Sequence, residues 1–298
     1  MIEFTKYRKA YYALSLTLIG VAIFSLINFG MNLGIEFTGG SIIEIEYESD
    51  RPTTEELKRT LSGLDLGELT IQPAGDNSFV IRMKDISDDT YLELRDRLSE
   101  ARVNYFESIG PAIGSELRNN AIISIILASL AIVIYIAMTF TGIEGGSIKS
   151  WQYGVVAAGI GFFHDVLIVI GVFSLLGYLY GVQFTIPIAV ALLTVLGYTI
   201  NDTVVIFDRI RENLALDPRA NFEKIVDKSI NNTLGRSINT SLTTLFVLFA
   251  IFFLGGETLK YFIMALILGI SLGTYSSIFL AGPLLVSWLK LKEKKINQ

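Results

Sequence analysis

The feature that most constrains this chain is a series of six apolar windows, each long enough to cross a bilayer. They occupy residues 10–35, 119–143, 153–180, 187–207, 237–256 and 261–289. A hydrocarbon core of about 30 Å requires about 20 apolar residues in helical conformation. A content of 51% hydrophobic and 18% charged residues also excludes an ordinary soluble domain. We therefore predict an α-helical bundle of six transmembrane helices.

The first window follows a basic N-terminus and has 26 residues without charge, from Ala10 to Ile35. A signal-peptide core is shorter and ends in a small-residue cleavage site, which this window lacks. We expect it to be a retained span. Gly181 and Pro187 divide the third window from the fourth, because Pro is favoured in the first turn of a new helix.

Residues 32–119 form a separate acidic segment, with 18 Asp and Glu against 9 Lys and Arg. Strand patterns occur at 34–48, 69–72, 79–83 and 103–106, with a turn predicted at 73–77. Thr53 with Glu56 forms a capping box for one helix, and Ser87 caps a second. The order β-α-β-β-α-β predicts one α+β, ferredoxin-like domain.

The distribution of Lys and Arg near the span ends predicts the orientation. With the N-terminus inside, fourteen basic residues lie on the inner side and only Lys260 lies in a short outer loop. The inner residues are Lys6, Arg8, Lys9, Lys149, Arg209, Arg211, Arg219, Lys224, Lys228, Arg236, Lys290, Lys292, Lys294 and Lys295. We expect a multi-pass protein of the cell membrane, with both termini cytoplasmic and the α+β domain extracytoplasmic. The predicted division is 1–31, 32–119 and 120–298, with a cytoplasmic loop at 208–236 in which residues 221–233 have a polar helix pattern.

Asp202, next to Asn201, is the most informative polar residue of the spans. An ionised Asp inside a bilayer costs about 2.5 to 3.5 kcal/mol on insertion scales and commonly marks an ion or proton pathway. The fourth span ends at Phe207, so Asp202 is expected about 8 Å from the inner end. A structural hydrogen bond between helices is the alternative interpretation.

Further polar residues extend this candidate site. Asp165, preceded by His164, lies at a similar depth in the third span. Arg236 opens the predicted fifth span, and the hydroxyl-rich segment after it, with Asn239 and Thr240, is expected to face Asp202. Burial favours the protonated form of a carboxyl group and a nearby guanidinium favours the ionised form. Movement of Arg236 relative to Asp202 would therefore load and release a proton.

Several motifs, taken in chain order, resemble the SecD/SecF family of protein-export membrane proteins, within the RND superfamily. They lie at residues 34–40 (GIEFTGG), 109–117 (IGP, then Gly114, Glu116 and Leu117), 163–165 (FHD), 197–203 (GYTINDT), 207–213 (FDRIREN) and 229–244, including Arg236. The resemblance covers essentially the whole chain. Where the usual pattern has Ser-Arg, this chain has Gly235-Arg236, so the Arg is kept.

The resemblance implies an RND-type half-transporter that pairs with SecD beside the Sec translocon channel. Its substrate would be unfolded preprotein, its surroundings the lipid bilayer and its coupling ion H⁺ or Na⁺. No cofactor, nucleic-acid partner or enzymatic activity is expected. Asp202 and Arg236 are similar to the residues implicated in proton conduction. The full predicted pathway is Asp202, Arg236, Asp165, His164, Asn201, Thr203, Asn239 and Thr240.

Three other functions are compatible with parts of the sequence. A non-conducting scaffold of the translocon needs no titratable pair, and a small-molecule RND exporter half shares the architecture. An intramembrane aspartyl protease would use Asp165 and Asp202 as paired carboxyl groups. Neither Asp follows the Gly-x-Gly sequence of such proteases, which disfavours that function. The absence of Cys and the presence of a single His exclude Cys-type and His-rich metal sites.

Overall fold

Six helical segments of this computed structural model, which describes residues 1–48, 51–140 and 150–296, are long and apolar enough to cross a membrane. They are Phe4–Phe29, Pro111–Thr139, Phe163–Tyr180, Ile186–Leu216, Phe222–Leu254 and Leu259–Lys292. The six predicted spans are thereby confirmed. The chain divides into a helical unit, Met1–Asn32 with Ser124–Gln298, and a sheet unit, Leu33–Ile123.

The elements are numbered in chain order. The helices are α1 Arg8–Phe29, α2 Ile35–Thr38, α3 Thr54–Thr60, α4 Asp88–Arg97, α5 Pro111–Thr139, α6 Ser150–Gly159, α7 Leu167–Tyr180, α8 Ile186–Leu216, α9 Phe222–Leu254, α10 Glu257–Ser276 and α11 Gly282–Ile296. The strands are β1 Gly40–Tyr47, β2 Thr70–Ala74, β3 Ser78–Met83 and β4 Ala101–Ile109. A 3-10 turn, Phe4–Tyr7, precedes α1. Two π-helical segments, Ile160–Val166 and Ser277–Ala281, join α6 to α7 and α10 to α11.

The sheet unit has the predicted β-α-β-β-α-β order. Its four strands are antiparallel and lie in the order β2-β3-β1-β4, so each helix crosses over between strands that are not neighbours. Alternation along β1 places Ile43 and Ile45 in a core completed by Leu57 of α3 and Leu94 of α4. The capping box of Thr53 and the cap formed by Ser87 are both present. This confirms the ferredoxin-like prediction.

Two bounds in the sheet unit differ from the sequence prediction. The first strand starts at Gly40, not at residue 34, because Ile35–Thr38 makes one helical turn. Gly39 and Gly40 have φ angles of 76° and 133°, which L side chains rarely adopt, and they redirect the chain from that turn into β1. Strand β2 also continues through Pro73 to Ala74, so the predicted turn at 73–77 is shorter.

The helical unit is held together by close approaches at small residues. Gly171 of α7 lies so close to Ala22 of α1 that an added Cβ would stand 2.4 Å from the Ala22 Cα atom. Gly269 and Gly273 of α10 lie against Val195 and Thr199 of α8 in the same way. Small residues allow backbones in a membrane to approach and gain van der Waals contact. The central helix α8 therefore packs closely on α10 over the turn that includes Val195 and Thr199.

The segment 208–236, predicted as a cytoplasmic loop, is mostly helical. Helix α8 continues to Leu216 and α9 begins at Phe222, where Asn221 provides the N-cap. Apolar residues continue at helical spacing past the charged positions, and Ile210 and Ile230 are fully buried in one cluster at this end of the bundle. The predicted helix pattern at 221–233 is present as the first part of α9, whereas α8 continues past the predicted end of the fourth span because its apolar face extends beyond the charged residues. Arg236 consequently lies within α9 and does not open a helix.

Candidate functional site

Three polar side chains form a buried stripe on one face of α8. Thr199, Asp202 and Thr203 are spaced i, i+3 and i+4, so they share one side of the helix. Their exposed fractions are 1%, 5% and 1%. Helices α9 and α10 both pack against α8. The stripe therefore faces the protein interior, where a polar group needs a partner.

Asp202 lies opposite the middle of α9. The charge of Arg236 acts on its carboxyl group, and the hydroxyl of Ser237 lies beside it. Among the described residues, however, no ion pair within 4.0 Å joins Asp202 to Arg236, and the buried Ser237 Oγ completes no hydrogen bond. Within the described part of the chain, Arg236 and Ser237 therefore lie near the Asp202 carboxyl group, but Arg236 forms no ion pair with it and Ser237 completes no hydrogen bond.

Asp165 is the second acid of the site and is fully buried, with an exposed fraction of 0%. His164 Nδ1 lies 2.8 Å from one of its oxygens, and Ser276 Oγ donates a hydrogen bond of 3.0 Å to the other. The Thr199 side chain lies beside the same carboxyl group, although its hydroxyl, like His164 Nε2, completes no hydrogen bond in the described structure. The His164 ring stacks on Tyr275, with centroids 5.8 Å apart.

Hydroxyl groups connect the surroundings of the two acids. Ser277 Oγ lies 2.9 Å from Thr203 Oγ1 and donates to the Thr199 carbonyl oxygen at 3.2 Å. Thr199 thus lies between Asp165 on one side and, three residues along its own helix, Asp202 on the other. The structure brings both acids to one polar region between α8, α9 and α10. This arrangement can hold and pass a proton or bind a small cation.

Both π-helical segments border this region. Asp165 and His164 lie within Ile160–Val166, and Ser277 begins Ser277–Ala281. A π-helical turn inserts one residue and changes the directions of the side chains around it, and such turns are frequent at functional sites. Here they bring His164, Asp165 and Ser277 to one region. The sequence contained no signal for either segment.

Some of the predicted pathway residues lie elsewhere. Asn201, Asn239 and Thr240 are exposed on the surface of the helical unit. The Thr240 hydroxyl donates to the Arg236 carbonyl oxygen of its own helix at 2.9 Å. The expectation that Asn239 and Thr240 face Asp202 is therefore wrong, because α9 is rotated so that Ser237 and Ser241 point inward instead. Thr203 is placed inside the site.

Four interior residues were missed by the sequence prediction: Thr199, Ser237, Ser276 and Ser277. Thr199 precedes Asp202 by three positions, so helical spacing alone could have identified it. Ser276 and Ser277 form a hydroxyl pair in an otherwise apolar window. Ser237 follows Arg236 directly, and nothing in the sequence separates it from the other hydroxyl residues of α9.

We expect Ser276→Ala to destabilise the helical unit by about 1 to 3 kcal/mol, because it removes a donor from the fully buried Asp165. The thermal unfolding midpoint of the full chain in detergent measures this effect. Ser129→Ala is the matched control, since among the described residues the Ser129 hydroxyl bonds only to the Ile125 carbonyl oxygen of its own helix. Equal midpoints for the two variants would contradict the prediction.

Comparison with known proteins decides the family. Residues 91–291 match the family described as protein export membrane protein SecD/SecF, C-terminal, and residues 24–50 match the SecD/SecF GG motif. The chain belongs to the SecD/SecF family. The resemblance noted in the sequence is thereby confirmed, and this SecD/SecF chain is a multi-pass membrane protein.

The SecD/SecF relatives match the chain along nearly its whole length. Protein translocase subunit SecF of Thermobaculum terrenum is 40% identical over 97% of this chain and 94% of the relative. Protein translocase subunit SecDF of Thermus thermophilus is 38% identical over 87% of this chain, but only 35% of the relative is covered. The crystal structure of SecDF from Thermus thermophilus, a translocon-associated membrane protein, superposes with a TM-score of 0.84 at 37% identity. That match covers 96% of this chain and 38% of the SecDF chain.

The SecD/SecF GG motif has a structural basis in the sheet unit. A Cβ atom on Gly39 would lie 2.7 Å from the Pro111 Cα atom, and one on Gly114 would lie 2.6 Å from the Gly39 backbone nitrogen. The backbone entering β1 thus packs directly on the first turn of α5. Only glycine combines the positive φ of Gly39 with this separation.

Proposed function

We propose that the chain is the SecF half of a SecD–SecF transporter that uses an ion gradient to promote preprotein export. Asp202 carries the coupling ion, H⁺ or Na⁺, and Arg236 controls when the ion is held. The observation that supports this most directly is the buried Asp202, close to Arg236 but not paired with it. In this proposal the chain is a transport subunit and not an enzyme.

Asp165 and His164 form a second element of the proposed pathway. Their contact is buried and lies next to Thr199 on the helix that carries Asp202. In this proposal Asp165 is a second group that can take up a proton, next to the helix that carries Asp202. No cofactor takes part in this proposal.

Partnership with SecD is supported by two observations. Thermus thermophilus SecDF is a single chain of which this chain matches about a third, and we infer that the remainder corresponds to SecD. The exposed polar residues of the spans, Arg236, Asn239, Thr240 and Asn201, are costly against lipid and would be covered by a second membrane subunit. The Sec translocon channel and unfolded preprotein are the further proposed partners.

The proposed orientation places both termini in the cytoplasm and the sheet unit outside the cell membrane. The excess of Lys and Arg on one side of the spans supports it. Movement of α9 against α8, as the ion binds and leaves, would then change the positions of the helices that lead to the outer unit. The outer unit would hold or pull the emerging preprotein.

Export into membrane vesicles that contain this chain, SecD and the translocon tests the proposed function. A transmembrane gradient of the coupling ion should accelerate the completion of export. A protonophore should remove this acceleration if the ion is H⁺. Replacement of Na⁺ by K⁺ should remove it if the ion is Na⁺. Export unchanged in all three conditions would refute gradient coupling and would favour the non-conducting scaffold.

A further inference from the structure

A cavity of about 400 Å³ lies at the end of the helical unit where the chain begins. It is bounded by the N-terminal segment before α1, the first turns of α9 and the end of α11. Its charged lining consists of Glu3, Lys6, Arg8, Lys9, Glu223, Lys224, Asp227 and Lys290. Five of these eight groups are cationic, so the cavity carries an excess of positive charge.

The carboxyl groups of the cavity are already engaged. Glu223 Oε1 lies 2.6 Å from Arg8 and 2.7 Å from Lys290. The two Asp227 oxygens accept hydrogen bonds from Thr5, one from its backbone nitrogen at 2.8 Å and one from its hydroxyl at 2.9 Å. These contacts hold the N-terminal segment, α9 and α11 together at the cavity.

Two of the cations lack an anionic partner. Lys6 lies 3.4 Å from Glu3, but Lys9 and Lys224 form no ion pair among the residues that the structure describes. Both side chains are exposed and line the same cavity. Each ammonium group offers three donors and no acceptor. The cavity therefore offers two ammonium groups that could bind an anion.

The position of the cavity along the spans matches the headgroup region of a membrane. Lys9 immediately precedes the apolar run of α1, which begins at Ala10. Lys290 follows Trp288 by two residues, and the Trp288 ring lies against Trp151, with centroids 5.5 Å apart. Tryptophan is enriched where the bilayer meets water. An anion at this depth, next to the lipid, is most readily the phosphate of a phospholipid.

We propose that this cavity binds the phosphate headgroup of an anionic phospholipid, with Lys9 and Lys224 as its direct contacts. Basic pockets between membrane helices bind such headgroups. The bound lipid would bridge α1 and α9, the helix that carries Arg236. The site is separate from the Asp202 region and does not depend on the proposed coupling.

Native mass spectrometry of the full chain, released from nanodiscs containing phosphatidylglycerol, measures lipid retention. We expect Lys9→Gln/Lys224→Gln to bind phosphatidylglycerol about tenfold more weakly than the unaltered chain, as each basic residue near the surface attracts anionic lipid. Lys228→Gln/Lys292→Gln is the matched control. It removes the same charge at the same end of the unit, and neither residue lines the cavity.

Two comparisons distinguish a phospholipid headgroup from free inorganic phosphate as the source of the phosphate. Retained lipid that 10 mM inorganic phosphate does not displace, and that is lost only in the cavity variant, supports the headgroup site. Equal loss in both double variants would show a general surface charge effect and would overturn the proposal. Displacement by inorganic phosphate would also overturn it, because the site would then bind a free anion. Lys9, Lys224 and Lys228 are exposed and Lys292 is partly exposed, and an unchanged gel-filtration profile verifies that the variants are folded.

Discussion

Replacing Asp202 with Asn should abolish the gradient-dependent part of export while the chain stays folded and bound to SecD. Asn matches Asp in size and keeps the surroundings of Thr199 and Ser237, but it cannot bind and release a proton or neutralise a cation. We expect the gradient-stimulated rate to fall about tenfold or more, since one charge moved through a membrane potential supplies about 2.3 kcal/mol per 100 mV. Export into vesicles with and without a gradient gives the measurement.

Asp208→Asn provides the matched control on the same helix. Asp208 lies six residues beyond Asp202, its side chain is 56% exposed and it pairs with Arg211 at 2.7 Å. The same chemical change there should leave export within twofold of the unaltered chain. Full gradient stimulation in Asp202→Asn would contradict the coupling proposal. Full stimulation in Asp202→Asn/Arg236→Gln would favour a scaffold.

Gly171→Ala is expected to prevent stable packing of α1 on α7. The added Cβ would stand 2.4 Å from both the Cα and the Cβ of Ala22, so the two helices must separate. Overpacking of this kind commonly costs about 1 to 3 kcal/mol, and more where the opposing atom is backbone. The yield of monodisperse chain after gel filtration and the thermal midpoint in detergent should both fall.

Gly197→Ala tests whether that loss comes from the contact. Gly197 lies in α8, and a Cβ there would meet nothing within 4 Å. The same substitution should be neutral or slightly stabilising, because Ala exceeds Gly in helix propensity by about 1 kcal/mol. If the two variants unfold at the same temperature, close approach of α1 and α7 does not limit stability.

Much of the architecture could be predicted because it depends on local patterns. The six spans follow from the length of the apolar windows, and the sheet unit follows from alternation in β1 and from the caps at Thr53 and Ser87. The predictions failed where packing, and not pattern, determines the outcome. The continuation of α8 and α9 through 208–236 depends on Ile210 and Ile230 meeting in one cluster, which no single segment reveals.

The candidate site was predicted in part for a related reason. Asp202 and Asp165 could be identified because an acid inside the bilayer costs free energy and is therefore rare in an apolar window. The hydroxyl groups of the site could not be identified in this way, because Ser and Thr are tolerated on every face of a membrane helix. In α9 they surround the helix, so the sequence could not show that Ser237 and Ser241 face inward while Asn239 and Thr240 face outward.

The sequence by itself determined that this chain is a six-span membrane protein of the SecD/SecF family with acids in its third and fourth spans. Composition and spacing suffice for the spans and their acids because the bilayer penalises each misplaced charge, whereas the family follows from the resemblance of the motifs. Only the tertiary structure decided which groups lie together: among the described residues, Asp165 is in contact with His164 and Ser276, whereas Asp202 lies near Arg236 and Ser237 without an ion pair to Arg236. Those contacts depend on helix rotation and on two π-helical segments, which arise from packing between helices distant in sequence.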